Sequence, residues 1–159
     1  MLIIIGFFGF FCLLFYFTFR YTPYSCGYET QNKEEFGNAF KDYFGFKPPK
    51  SLNNEQLKVW ALRDTYVIWL KFCYNSNLLE KIKSQDKSLK IAKNNSSNFQ
   101  DIIVDLKKDV HHPYWVKLPN KNVDEIYYKE DFLDHTYSVY YLWTDKQTKL
   151  TFLYVEYFD

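Results

Sequence analysis

Arginine is almost missing from this chain. Of 20 basic residues in a length of 159, only Arg20 and Arg63 are arginines. Arg20 adjoins an apolar run, so the guanidinium cluster of a phosphate-backbone reader is not there and nucleic acid is not the expected partner. Glycine is scarce at five residues and methionine appears once. No glycine-rich or proline-rich tract divides the chain, and no period of 20 to 50 residues recurs. Catalytic spacings are missing as well: there is no Gly-x-Ser-x-Gly, phosphate loop or dinucleotide fingerprint, and no Cys-x-x-Cys, His-x-x-x-His or His-Glu-x-x-His. Neither enzymatic machinery nor a cofactor is implied, and a binding or interaction role is the expectation.

What is present is aromatic. Phe, Trp and Tyr make up 22% of the chain, with 15 Tyr and 16 Phe, which excludes a disordered polymer and favours broad packing on β-strands. The net charge of +1 hides an asymmetry: residues 20–122 carry 17 Lys/Arg against 11 Asp/Glu, and residues 123–159 carry three against eight. The acidic carboxyl-terminal region is a candidate surface for a protein partner.

Leu2 to Phe19 contains no charged residue. Eighteen helical residues at ~1.5 Å each reach roughly 27 Å, close to the ~30 Å hydrocarbon core of a bilayer. Arg20, Tyr21 and Tyr24 follow at once, as suits the headgroup layer. Thr18-Phe19-Arg20 is bulky and charged where signal cleavage wants small residues, which favours an uncleaved anchor over the alternative of a cleaved signal peptide, and neither Cys12 nor Cys26 sits in the small-residue setting of a lipid-modified cysteine. The expected organisation is a transmembrane anchor at 1–19, a linker at 20–31 and one globular domain at 32–159. A lipid bilayer is thus the expected partner of residues 2–19. Arg20, Lys33 and Lys41 follow the segment and nothing basic precedes it, so the positive-inside rule alone would put the domain in the cytoplasm.

The domain reads as α+β, with an antiparallel sheet and two to three short helices packed on one face. Asn32 with Glu35 opens a helix whose apolar positions Phe36, Ala39, Phe40, Tyr43 and Phe44 recur at helical spacing until Gly45. Residues 55–74 predict two strands with a turn near Arg63-Asp64. Asn77 to Glu80 and Ser97 to Gln100 have capping-box form and open two more helices, the first carrying lysines along 80–93 that face solvent or anionic lipid. "TYSVYYLWT" and "KLTFLYVEYF" predict a terminal hairpin across "DKQT", with "EIYYKE" as a third neighbour. Trp69, Trp115 and Trp143 are expected as structural aromatic anchors.

The stretch "DVHHPYWVKLP", residues 109–119, sets Asp109, His111 and His112 together before Pro113. Adjacent side chains diverge on a helix or a strand, so the two histidines do not readily share one metal ion, and a metal or acid/base site would need Asp109, His135 or Cys73 as a partner in space. A helix end running into an aromatic anchor is the expected reading. Glu130, Asp131 and Asp134 beside His135 lack the alternating ligands and glycine of a calcium loop and read as a solvated acidic loop. Cys26 and Cys73 permit one disulfide in an oxidising compartment, with two separate thiols as the alternative.

Three stretches carry a resemblance: "DTYVIWLKF" (Asp64, Trp69, Phe72), "HHPYWVKLP" (Pro113, Trp115) and "YYLWTDKQTKLTFLYVEYFD" (Leu142, Trp143, Asp145, Asp159). Together they resemble small exported or membrane-anchored bacterial proteins of uncharacterised function that share a Pro-x-Trp segment and a terminal Leu-Trp-x-Asp hairpin. Tyr114 stands where a second tryptophan would follow the proline. The resemblance implies a single-pass protein of the cell membrane with an extracytoplasmic domain, and it brings no catalytic residues. The expected function is therefore a membrane-tethered, non-enzymatic interaction module of the cell envelope. The alternatives are a cation-assisted envelope hydrolase using His111 or His112 with His135, and an immunity-type protein whose acidic face neutralises a basic toxin.

Overall fold

The computed structural model describes residues 25–62, 64–133 and 135–158. The apolar segment 2–19, Arg63, Asp134 and the side chain of Cys26 lie outside them. Among the described residues no helix is long and apolar enough to cross a membrane.

Helix α1 spans Lys33–Phe44. Asn32 caps it by accepting from the amides of Glu34 and Glu35, and Gly45 ends it at φ 74°, a left-handed conformation that costs a residue without Cβ little. Helix α2 spans Ser76–Gln85 and helix α3 spans Ser97–Lys108. Their caps are Asn75 and Ser96, each bonding the amide three residues on, so both helices begin earlier than the capping-box pattern indicates. The lysine-rich stretch 80–93 is not one helix. Asp86 accepts from the amide and hydroxyl of Ser88, which turns the chain out of α2 and into a short strand.

The strands are β1 (Ser25–Thr30), β2 (Gln56–Leu62), β3 (Thr65–Cys73), β4 (Lys90–Lys93), β5 (Glu125–Leu133), β6 (Thr136–Asp145) and β7 (Leu150–Phe158). They form one sheet in the order β1-β2-β3-β7-β6-β5-β4, with every neighbouring pair antiparallel. Part of the expected linker is therefore edge strand: Ser25–Thr30 pairs with β2, a non-local partnership that local sequence does not advertise. Glu130 and Asp131 likewise belong to β5 rather than to a loop.

The helices do not share a face. Ile68, Leu70 and Phe72 of β3 meet Phe36, Phe40 and Phe44 of α1 and Leu78 and Ile82 of α2 in one buried cluster. Val67 and Trp69, one residue out of phase, join Phe99, Ile102 and Leu106 of α3 in a second. The physical reason lies in the central strands, whose apolar runs "VIWL", "VYYLW" and "FLYV" are continuous instead of alternating, so both faces need a cover.

A pseudo-symmetry accounts for this arrangement. The order strand-helix-hairpin occurs twice, as β1-α1-β2-β3 and as β4-α3-β5-β6, on the two flanks of β7. Both hairpins close with two-residue turns, Leu62 opposite Thr65 and Leu133 opposite Thr136. From those turns "TYVIWLKF" and "TYSVYYLW" run in step, with Ile68, Leu70 and Phe72 matched by Val139, Tyr141 and Trp143. β3 and β6 both run against β7 and hence in the same direction. A two-fold rotation about β7 therefore exchanges the flanks and inverts the faces, which puts α1 on one side and α3 on the other.

Candidate functional site

The segment after α3 crosses the second face as a strap. Asp109, the C-cap residue of α3, accepts from the Trp69 indole at 3.1 Å and from the His111 amide at 2.7 Å, so both of its carboxylate oxygens are engaged. The His111 ring stacks on Trp60 with centroids 3.9 Å apart and planes 18° apart. His112 stands exposed with Nδ1 2.8 Å from the Asp109 carbonyl oxygen. Trp115 is half-buried: its indole donates to Glu29 at 3.3 Å, and the Lys71 ammonium sits 5.4 Å from its ring centre. Further along, the Lys117 carbonyl accepts from the Trp143 indole at 3.1 Å. Helix end and strap thus lock onto the sheet through tryptophans, and Trp69 and Trp143 are each only 1% exposed.

Between α3, the start of this strap and the sheet lies an open cleft of about 510 Å³. The sheet supplies its rings: Trp60 from β2, Tyr137 and Tyr141 from β6, Tyr154 and Phe158 from β7. They lie on one face because these positions are even-numbered on β2 and β7 and odd-numbered on β6, in step with the register. Tyr141 stacks on Tyr154 at 5.9 Å and Tyr137 on Phe158 at 6.3 Å. Trp60 reaches the cleft over Gly27 on β1, where a Cβ would lie 3.2 Å from the Trp60 ring and 3.1 Å from the Val59 carbonyl oxygen.

Three carboxylates share this space: Asp105 and Asp109 from the end of α3 and Glu156 from β7. Lys108 pairs with Asp105 at 2.8 Å on the outside. Burial pushes the Glu156 carboxyl above its ordinary range, a hydrogen bond from the Tyr154 hydroxyl at 2.7 Å pulls against this, and the charges of Asp109 and Asp105 add to the rise. Burial also raises Tyr154, reinforced by its bond to Glu156. Tyr141 moves the same way, through burial and then the Asp105 charge. Raised in this way, the phenols hold their protons.

A second hollow, of about 360 Å³, lies on the other side of the molecule against Tyr74, Leu79 and Tyr127. Several of its polar groups meet partners nearby. The Tyr127 hydroxyl donates to Glu125, Lys146 pairs with Asp124, and the Lys83 ammonium lies 5.0 Å from the Tyr127 ring. Burial and the Glu125 bond push Tyr127 up to about 12. Two acidic and two basic residues line this hollow, whereas three carboxylates meet one lysine in the cleft beside α3.

Of the residues singled out from sequence, Asp109 and His111 line the cleft and His112 turns away from it. His135 stands exposed at φ 77° in the β5–β6 turn and is not part of the lining, so the hydrolytic combination of His135 with the pair is not assembled there. Among the described residues no three His, Cys, Asp or Glu side chains group as a metal site. Cys73 is a free thiol that accepts from the Asn54 amide at 3.2 Å. Register places Cys26 opposite Ala61 and Ala61 opposite Tyr66, seven residues along β3 from Cys73. At about 3.3 Å per residue the two cysteines are roughly 23 Å apart along the strands alone, and a disulfide requires Cα atoms within about 7 Å. Asp145, part of the Leu-Trp-x-Asp element, is buried and accepts from the amides of Gln147 and Thr148, so its work is to form the β6–β7 turn.

Trp60, Tyr154 and Glu156 went unremarked in the sequence because each sits inside a strand where a neighbour of opposite facing carries the core signal. A lone glutamate in the otherwise apolar "FLYVEYF" was the one available clue. Compared with protein-family models, curated proteins and solved structures, the chain matches none.

Proposed function

We propose that this chain is a membrane-tethered, non-enzymatic binding module of the cell envelope, held by residues 2–19 and presenting the α3-side cleft to its ligand. The cleft carries the reading. It joins aromatic walls to three carboxylates, of which only Asp105 is paired with a lysine, and Asp109 has both oxygens committed to holding the strap, which suits recognition better than proton transfer. The uncharged run from Leu2 to Phe19, followed by Arg20 and two tyrosines, supports the tether. The domain is placed outside the cytoplasm on the resemblance described above.

Expression of the full chain followed by alkaline extraction of membranes tests the tether, with the protein expected to stay in the pellet. An impermeant amine reagent applied to intact cells tests the side, with surface lysines expected to label before lysis. Release into the supernatant removes the tether, and labelling only after lysis turns the domain inward.

A further inference from the structure

We propose that the α3-side cleft binds an alkylated ammonium cation, the chemistry of a choline-type headgroup. The proposal rests on the binding-module reading and adds the class of ligand. Three features of the cleft select it: its charge, its walls and the way its carboxylates are already used.

Charge comes first. Among the described residues, Asp105, Asp109 and Glu156 line the space against a single lysine, Lys108, so the cavity attracts a cation. The walls are two stacked ring pairs, Tyr141 with Tyr154 and Tyr137 with Phe158, together with Trp60 under His111. Ring faces attract cations through their quadrupole, and they hold alkylated ammonium better than a strongly hydrated one because the methyl groups also lose water against the rings. The carboxylates then exclude a fork-shaped partner. Asp109 gives one oxygen to Trp69 and the other to His111, Glu156 gives one to Tyr154, and Asp105 gives one to Lys108. None keeps both oxygens open for the bidentate grip that favours guanidinium, whereas a rounded ammonium needs only nearby charge. A volume of about 510 Å³ accommodates a headgroup-sized ligand.

Position points to where such a cation is met. Ser25, Leu62, Thr65, Phe158, Tyr137 and Phe132 form one unbroken row of cross-strand partners at one end of the sheet. Thr65, Phe158 and Tyr137 line the cleft, and Phe132 is 75% exposed beside them. Ser25 is where the chain arrives from the apolar run, and the five residues 20–24 extend at most roughly 18 Å. The cleft therefore lies at the end of the domain nearest the tether.

The test uses the full chain in a maltoside micelle, which contains no ammonium. Choline chloride is titrated while the Trp60 indole N–H resonance, assigned through Trp60→Phe, is followed. Saturable movement is expected, about tenfold weaker for the uncharged isostere 3,3-dimethylbutanol and about tenfold weaker in Glu156→Gln, in line with the loss of one charge-assisted contact. A parallel arm places the protein in nanodiscs of phosphatidylcholine or phosphatidylglycerol. A shift specific to the first identifies a lipid headgroup as the source, and a shift with free choline but no difference between the discs identifies a soluble one. Equal binding of choline and its uncharged isostere overturns the proposal. If choline leaves Trp60 unmoved but trilysine shifts it, the alkylated-ammonium assignment falls and the binding-module reading stands; if neither moves it, both fall.

Discussion

The two faces of the sheet are both buried, yet they are built from different aromatic residues. On the α1 and α2 side most ring contacts are phenylalanine on phenylalanine: Phe40 lies 4.4 Å from Phe44, 5.7 Å from Phe72 and 5.9 Å from Phe36 between ring centres, with Tyr140 edge-on to Phe44. On the α3 side all four tryptophans pack in or against the core, with Tyr141 and Tyr154 beside Phe99 and Phe152. The indoles of Trp69, Trp115 and Trp143 hydrogen-bond to the strap or to β1, and Tyr154 bonds to Glu156. Phenylalanine gives a face apolar area and nothing else. Tryptophan and tyrosine add a polar end, and here those ends hold a loop in place and line a cleft. The pseudo-two-fold relates α1 to α3 across the sheet, so under the binding proposal it is the side-chain chemistry that separates a packing face from a recognition face.

The largest blow to the first face is Phe40→Ala. Phe40 is 0% exposed within the ring cluster, and its truncation is expected to cost about 3 to 5 kcal/mol in urea denaturation without reshaping the cleft. On the second face Trp69→Phe keeps most of the ring and removes the donor to Asp109, leaving a partly buried carboxylate oxygen without its partner. A loss of about 1 to 3 kcal/mol is expected, with the His111 ring signals shifting as the strap loosens. Trp115→Ala should cost about 1 to 2 kcal/mol, roughly half of a full aromatic burial, because Trp115 is only half-buried. A cost as large as that of Phe40→Ala would restore Trp115 to the core. His112→Ala, at an exposed position, is expected to stay within about 0.5 kcal/mol of wild type.

Glu156 supplies the pH test. Its folded pKa is raised, so the native state binds the proton more tightly than the unfolded chain, and this contribution is fully present below the unfolded carboxylate range and lost as pH rises through the folded value. Ionised Glu156 therefore opposes folding at neutral pH. Glu156→Gln is expected to melt higher than wild type at pH 7, with the gap closing as the pH is lowered through the carboxylate range. A gap that widens on acidification would mean that Glu156 is stabilised as the anion.

Local signals were legible wherever they were self-contained. Asn32 and Gly45 bracket α1 as the spacing of Phe36, Phe40 and Phe44 indicates, and the hairpins of β2–β3 and β6–β7 turn where expected. The caps of α2 and α3 fall one or two residues before the capping-box pattern because Asn75 and Asn77, or Ser96 and Ser97, are chemically equivalent and only backbone geometry chooses between them. What escaped was non-local. β1 exists because β2 pairs with it, and β4 because β5 does. The cleft depends on register: moving β7 by one residue would turn Glu156 to the opposite face, and nothing within "YVEYF" fixes that choice.

The division of labour between the faces is open to one direct measurement on the full chain. Tetramethylammonium is titrated while the indole resonances of Trp60 and Trp143 and the ring resonances of Phe36, Phe40 and Phe44 are recorded in the same samples. Recognition confined to the α3 side predicts that Trp60 moves saturably, that Trp143 moves little and that the three phenylalanines do not move. Phenylalanine rings that shift with the same midpoint and amplitude as Trp60, or a Trp60 indole that stays still throughout, would contradict it.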